Sequence, residues 1–316
     1  MPDHSSGWLS VHLDVAYSGS GWAEVYGLRT DRILAGLVQP AVKTLIESGV
    51  VSRFFFIRYR DPGAHVRLRL FCREADHDGI LSVLEGARRE FIGSSSRDDV
   101  VTGFRREPYN PEWDRYGGPA GVDVSEEMFE ASSVFVLDSL PVLIKGDGES
   151  GLRFGHGAIG AVLLIGTMLG EEPQPTGSAL LDHYERTQAD RFLTGDREQD
   201  MRRDVRILAE HQDRLLDTLV SVYSALSDPE RLPEPFCSAA SKFLNVRQRL
   251  VHACQDGLIS FNGAEPASER GALYSLASSY LHMHLNRLGI RTIHEPLVAR
   301  IARHALERSR RTPAWS

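Results

Sequence analysis

Residues 54–71, reading FFFIRYRDPGAHVRLRLF, leave this chain few ways to fold. Two runs rich in β-formers flank Asp61-Pro62-Gly63, where proline presets φ and glycine accepts φ > 0, so the runs pair as a hairpin. The second run alternates: His65, Arg67, Arg69 and Phe71 project one way, and Val66, Leu68 and Leu70 the other. One face of the sheet is therefore apolar and buried. The opposite face carries a histidine and two arginines side by side. That pattern suits an ordinary solvated sheet face, and equally a grip on carboxylates or amide carbonyls.

The segments around the hairpin extend the sheet. Residues 8–17 alternate, with Trp8, Ser10, His12 and Asp14 against Leu9, Val11, Leu13 and Val15, and predict a strand. A helix is predicted over 31–48, with Pro40 expected to kink it and Gly49 to end it. Strands 52–59 and 65–71, a helix over 78–91 and a strand over 100–106 follow. Strand, helix, strand, strand, helix, strand is the split βαβ, ferredoxin-like order. From residue 125 the strand signal fades. A helix over 125–142 takes Ser125 as its N-cap, and 146–151 is a loop. Residues 154–169 form a small-residue buried helix, and 171–177 a proline-rich break. Helices are predicted at 178–193, 197–227, 234–255, 270–288 and 294–310, with linkers at 228–235 and 262–266. The fold class is α+β: a ferredoxin-like antiparallel sheet domain over 1–120, then a mostly helical domain over 121–316, with the active-site cleft expected between them.

The bulk numbers fit a soluble globular protein. Of the 316 residues 42% are hydrophobic and 25% charged, ample to bury a core. A net charge of −7 argues against nucleic acid as a partner. Cys72, Cys237 and Cys254 are odd in number and widely spaced, which suggests neither a disulfide framework nor a zinc pair and fits a reducing compartment. The start MPDHSSGWLS lacks a secretory pattern, and the longest apolar run, 158–169, is too short and glycine-rich to span a bilayer. A cytoplasmic protein, free of the membrane, is expected.

Two further clusters could carry chemistry. Residues 109–118, YNPEWDRYGG, gather Tyr109, Glu112, Asp114, Arg115 and Tyr116 on a turn ended by two glycines. Residues 273–289, LYSLASSYLHMHLNRLG, place Ser275, Ser279, His282 and Asn286 on one helical stripe, with Leu273, Leu276, Ala277, Tyr280 and Leu288 mostly opposite. His282 and His284 are two apart and point apart, a poor metal pair. A lone histidine there is a structural hydrogen-bonding residue or a proton-transfer group. The phosphate-loop, dinucleotide and nucleophile-elbow motifs are missing. Gly155-His156-Gly157-Ala158-Ile159-Gly160 imitates a dinucleotide loop without a strand before it, and is taken as a close-packed helix. No cofactor and no metal is implied.

Together, F-x-R-Y-x-D-P-G-x-H-x-R-x-R-L, Y-x-x-E-x-x-R-Y-G-G and S-L-x-x-x-Y-L-H-M-H-x-N-R-L-G resemble the C-terminal domain of lantibiotic dehydratases, a family that includes stand-alone thiopeptide-type bacteriocin biosynthesis proteins. The resemblance runs from Trp8 to about Gly289. It implies a leader-bearing, ribosomally made precursor peptide as partner, with other enzymes of the same pathway. It also implies that Arg67, Arg69 and Arg115 bind glutamyl carboxylates and that His282 manages proton transfer, in elimination of glutamate from glutamylated Ser or Thr. Stand-alone relatives alternatively form a pyridine by a [4+2] aza-cycloaddition of two dehydroalanines, with loss of water and leader. Where elimination domains carry an acidic helix ending in Asp-Ser, this chain reads EEMFEASS, with Ala131 and Ser132. The third cluster is also rich in hydroxyls: Ser268, Tyr274, Ser275, Ser278, Ser279 and Tyr280. These departures favour the pyridine synthase, with Tyr274 and Ser268 polarising the amide and His282 moving the proton. Arg67, Arg69, Arg115, Glu112, Tyr116, Ser275 and Ser279 would position the peptide. Glutamate elimination is the alternative, and a non-catalytic leader-binding subunit the third.

Overall fold

The computed structural model describes residues 6–15, 25–61, 63–94, 101–146, 150–169, 174–192, 212–266 and 268–309. They form two compact units: Met1–Pro111 with Ser132–Gly148, and Glu112–Ala131 with Glu149–Ser316.

In the first unit the alternating segments become strands β1 (Ser6–Val15), β2 (Val51–Tyr59), β3 (His65–Arg73) and β4 (Val101–Arg106). They make one four-stranded sheet in the order β2-β3-β1-β4, with every neighbouring pair antiparallel. The architecture is mixed α/β. Directly opposed residues share a face, so the register sorts the side chains. Ser10 lies opposite Arg69 and His12 opposite Arg67, Phe55 opposite Arg69 and Tyr59 opposite His65. The other face, with Leu9, Val11, Leu13, Phe54, Phe56, Val66, Leu68 and Leu70, is buried core. The helical segments α1 over 25–47 and α2 (His77–Ser94) belong to this unit, as does the later part of the helix Gly118–Lys145. α1 and α2 approach closely: a Cβ on Gly36 would lie 2.7 Å from the Phe91 ring. Pro40 does not break α1. It has no N–H to offer the carbonyl of residue 36, and the wider π-turn Leu34–Val38 stands there instead. Arg58 is buried on the apolar side because Asp31 pairs with it at 2.5 Å, with Gly27 O accepting a second bond at 3.2 Å. The edge strand β2 has one outward amide satisfied by Ser133 Oγ, which accepts from Phe56 N at 3.1 Å.

The second unit is helical among its described residues. It contains the single turn α3 (Trp113–Tyr116), the first part of α4 (Gly118–Lys145), and α5 (Ser150–Leu169), α6 (Gln174–Phe192), α7 (Gln212–Ser224), α8 (Phe236–Gln255), α9 (Glu269–Arg287) and α10 (Glu295–Ser309). α4 starts earlier than its sequence suggests. Gly117 and Gly118 both have φ near +80°, reachable because they lack a Cβ, and the helix begins there. Ser125 is thus no N-cap: it is buried mid-helix, with Oγ donating to Gly121 O at 2.6 Å. The start of α6 likewise takes in residues 174–177 of the expected break, while 170–173 lie outside the described residues, as do 193 of the expected helix 178–193 and 197–211 of the expected helix 197–227.

The imitation dinucleotide loop is close-packed helix. A Cβ on Gly157 would meet Ile290 at 2.4 Å, and one on Gly160 would meet His284 Nε2 at 2.0 Å. α5 is longer than the apolar run alone implied. Gly151–Leu169 is long and apolar enough to cross a membrane, yet 78% of that stretch is buried, against α7, α8, α9 and α10. It reads as the central helix of this unit.

Candidate functional site

The polar sheet face of the first unit is more enclosed than a solvated face. Ser10, His12, His65 and Arg69 are all buried. Arg67 and His65 satisfy one another. His65 Nδ1 donates to Gly63 O at 2.7 Å, which leaves Nε2 to accept from Arg67 Nε at 3.1 Å, and the Arg67 guanidinium lies 3.4 Å from the Tyr59 ring centroid. Arg69 differs. It is 6% exposed, and its Nε and Nη1 have no hydrogen-bond acceptor among the described residues. Its one cushion is the Tyr109 ring, 5.3 Å away. Ser10 Oγ and both ring nitrogens of His12 are also without partners. His12 stacks on His65 at 4.9 Å. Burial first, then the charge of Arg69, pulls the His12 imidazole down to about 3, so it is neutral at ordinary pH. Burial and the nearby Arg67 pull Arg69 down to about 10. The face therefore offers a cation, a hydroxyl and a neutral imidazole with unused hydrogen-bonding capacity. A carboxylate is the natural complement.

The second unit holds its polar groups differently. α9 begins at Ser268 and presents Ser279, His282 and Asn286 half-buried and Ser275 exposed, while Leu273, Leu276, Ala277, Tyr280 and Leu288 are buried. His284 is fully buried, so the two histidines do point apart. Arg115, carried by α3, donates from Nη1 to Glu112 Oε2 at 3.0 Å and from Nε to Ser279 Oγ at 3.3 Å. His282 is 31% exposed and its Nδ1 lies 3.0 Å from Glu295 Oε1 and 3.1 Å from Oε2. Glu295 opens α10, is buried, and also accepts a short hydrogen bond from the Tyr184 hydroxyl. Burial, then the Glu295 charge, keeps that phenol protonated by pushing its pKa well up.

The sequence-predicted residues thus sort into three groups. Arg67 and Arg69 share the sheet face. Glu112, Arg115, Ser279 and His282 lie on adjoining parts of the helical unit. The remaining hydroxyl-bearing residues are placed differently. Ser268 Oγ accepts from Gly271 N at 3.0 Å and N-caps α9, which fixes the side chain at the helix start and leaves its O–H to donate. Tyr116 is 4% exposed, stacked on Tyr280 at 6.1 Å, and belongs to the core rather than to a peptide-facing surface. Tyr280 shares a 2.7 Å hydrogen bond with Ser125 inside the same core. Tyr274 is half-buried, with its phenol pushed up by burial and by Asp182. His12, Ser10, Tyr184 and Glu295 were not singled out as site residues. For His12 the alternation of β1 was a usable signal. For Tyr184 and Glu295 there was none, because positions 184, 282 and 295 are brought together only by helix packing. Among the described residues no group of three or more His, Cys, Asp or Glu is placed to hold a metal ion.

Comparison with known proteins places this geometry. Residues 22–306 match the family model described as lantibiotic biosynthesis dehydratase C-term. Nisin biosynthesis protein NisB of Lactococcus lactis subsp. lactis is 32% identical over 100 residues, 32% of this chain and 9% of that protein. Epidermin biosynthesis protein EpiB of Staphylococcus epidermidis is 22% identical over 131 residues, 42% of this chain and 12% of that protein. The chain thus spans about a tenth of the length of these relatives. Among solved structures, TsrL superposes with a TM-score of 0.66 at 18% identity, covering 97% of this chain and 96% of that one. The tRNA-dependent lantibiotic dehydratase MibB from Microbispora sp. 107891 gives 0.62 at 24%, covering 96% and 28%. The pyridine synthase TbtD, from thiomuracin biosynthesis, gives 0.65 at 17%, covering 95% and 98%. At these identities the structures establish a common fold.

Proposed function

The chain belongs to the lantibiotic biosynthesis dehydratase C-terminal family, and from that premise we propose that it removes glutamate from glutamylated Ser or Thr residues of a ribosomally made precursor peptide. The observation that carries this reading is Arg69: a buried guanidinium with unused donors, flanked by an unpartnered hydroxyl and a neutral imidazole. An unpaired buried cation is costly to keep, and a substrate carboxylate would repay it. Pyridine formation offers no anion at the reacting centre, so there this arginine would only position backbone carbonyls of the peptide.

In the proposed reaction Arg69 and Arg67, with Ser10 and His12, take glutamyl carboxylate oxygens. Arg115, steadied by Glu112 and Ser279, neutralises charge that builds on the acyl and leaving-group oxygens. The His282 imidazole, bonded to Glu295 through Nδ1, uses Nε2 to accept the α-proton. The Cβ–O bond then breaks, the electron pair leaves with the glutamate carboxylate, and a dehydroamino acid remains. The proposal includes the ferredoxin-like description of the first unit and a cytoplasmic setting.

The pyridine-forming alternative is favoured by Tyr274, whose elevated pKa makes it a neutral donor suited to polarising an amide. Against it, Tyr280 is buried in the core, which takes one hydroxyl out of the set that first pointed to that reaction.

The purified protein, incubated with a glutamylated leader-bearing peptide and separately with a dehydroalanine- and azole-bearing one, decides by product mass. Loss of glutamic acid from a peptide that stays linear is expected, with His282→Ala slowing it by about 10²–10⁴-fold. A macrocycle with released leader would replace this reading with pyridine synthesis. Two unchanged masses with tight leader binding would leave only a binding subunit.

A further inference from the structure

We infer that Glu295 is a positioning residue for His282: it fixes the imidazole as the Nδ1–H tautomer and leaves Nε2 as the nitrogen that handles the proton. The inference rests on the proton-transfer role proposed above but makes a claim of its own about the free protein.

Nδ1 of His282 lies 3.0 and 3.1 Å from the two Glu295 oxygens. A carboxylate has only acceptors to offer, so Nδ1 must carry the hydrogen and the neutral ring keeps its lone pair on Nε2. Three observations say that Glu295 is built to hold that place. It opens α10, where the unpaired backbone N–H groups favour negative charge. Its second hydrogen bond comes from Tyr184, a phenol held protonated by burial and by Glu295 itself. The two helices that supply Glu295 and Tyr184 are clamped together by Glu185, the neighbour of Tyr184. It accepts from Arg300 Nε at 2.6 Å and from Arg303 Nη2 at 3.2 Å.

The asymmetry of exposure completes the case. Glu295 is 1% exposed while His282 is 31% exposed. The carboxylate is sealed behind the ring, and the ring alone is accessible. A buried acid behind an accessible imidazole orients the base and stabilises the imidazolium formed when it takes a proton, without touching substrate itself.

The test combines histidine tautomer and kinetics. In ¹⁵N-labelled wild-type protein, the His282 signals, identified by their loss in His282→Asn, should report a protonated Nδ1 and an unprotonated Nε2 above the pH of imidazole titration. Glu295→Gln should move the ring toward the Nε2–H form. It should lower kcat on the glutamylated peptide by about 10²–10⁴-fold while leaving KM within about twofold. An Nε2–H tautomer in the wild type, or wild-type kcat in Glu295→Gln, overturns the inference. If Glu295→Gln does not fold, the wild-type spectrum alone decides. If wild-type protein eliminates no glutamate, the functional reading fails while the tautomer measurement still judges this one.

Discussion

The sheet face of the first unit and the α9 face of the second carry similar side chains in opposite states. On the helical side, Arg115 is bonded to Glu112 and Ser279, and His282 to Glu295, which Tyr184 also holds. On the sheet side, Arg69, Ser10 and His12 are buried with hydrogen-bonding atoms that meet nothing among the described residues. Groups already satisfied are machinery fixed in advance of the substrate. Groups buried and unsatisfied mark a place kept at a cost in stability, as a polar binding site is. Stability and function should therefore trade against each other on the sheet side and run together on the helical side.

The largest effect that could break this contrast is at Arg69. Arg69→Met removes a buried, unpaired cation while keeping its length. It should stabilise the free protein by about 1 kcal/mol or more in denaturant unfolding, and raise KM for the glutamylated peptide on the order of 10–100-fold. Arg115→Met should cost activity without any gain in stability, because Glu112 would lose its partner. Equal stability changes in the two variants would erase the distinction.

Acid sharpens the comparison next. His12 on the sheet side and His284 in the helical core are both held down to about 3 by burial, against about 6.5 in the unfolded chain. Between those values the unfolded chain binds more protons, so stability is fully present above pH 6.5 and is lost as pH falls toward 3. Each histidine should account for about 2 kcal/mol of lost stability at pH 5. His12→Gln should remove its own share from the difference between unfolding curves at pH 7 and pH 5. A carboxylate ligand should protect only His12, because it would sit beside that ring and not beside His284. A ligand that flattens the acid slope of His12→Gln as much as that of wild type would place the anion elsewhere.

How far each side was legible in the sequence follows from the range of its interactions. A period-two pattern is local, so the strands, the strand order of elements and the shared face of Arg67 and Arg69 could be read directly. The polar stripe of α9 was legible for the same reason at helical period. The start of α4 was not, because two consecutive left-handed glycines followed by Pro119 look like a turn rather than a helix start, while Ser125 looks like a cap. The brace behind His282 was not legible at all. Residues 184, 282 and 295 have no sequence spacing in common, and helix packing alone assembles them. The empty valence of Arg69 was equally hidden: alternation says which way an arginine points, not whether anything answers it.

A smaller effect checks Ser268. Its oxygen caps α9, so Ser268→Ala should lower stability by about 1 kcal/mol, a shift of a few degrees in Tm, with kcat near wild type at a temperature where the protein is folded. A fall in kcat without a fall in Tm would return this hydroxyl to the chemistry and reopen the pyridine-forming reading.

The smallest expected change is the most exacting, because it concerns a residue of the helical side that resembles Arg69. The Tyr116 hydroxyl is buried without a partner among the described residues, as Arg69 is, and by the logic applied to the sheet it too could be waiting for substrate. The difference lies in its surroundings. Tyr116 stacks on Tyr280 at 6.1 Å and meets Phe129 edge-on at 5.1 Å, and burial pushes its phenol up to about 12, so it is uncharged and enclosed by rings. A neutral hydroxyl in such a place costs far less than an unpaired cation. Tyr116→Phe keeps every ring contact and sheds that small cost. It should leave kcat and KM within about twofold and change stability by less than about 1 kcal/mol, in the stabilising direction. A tenfold loss of kcat with unchanged stability would mean that the helical face also holds a place open for substrate.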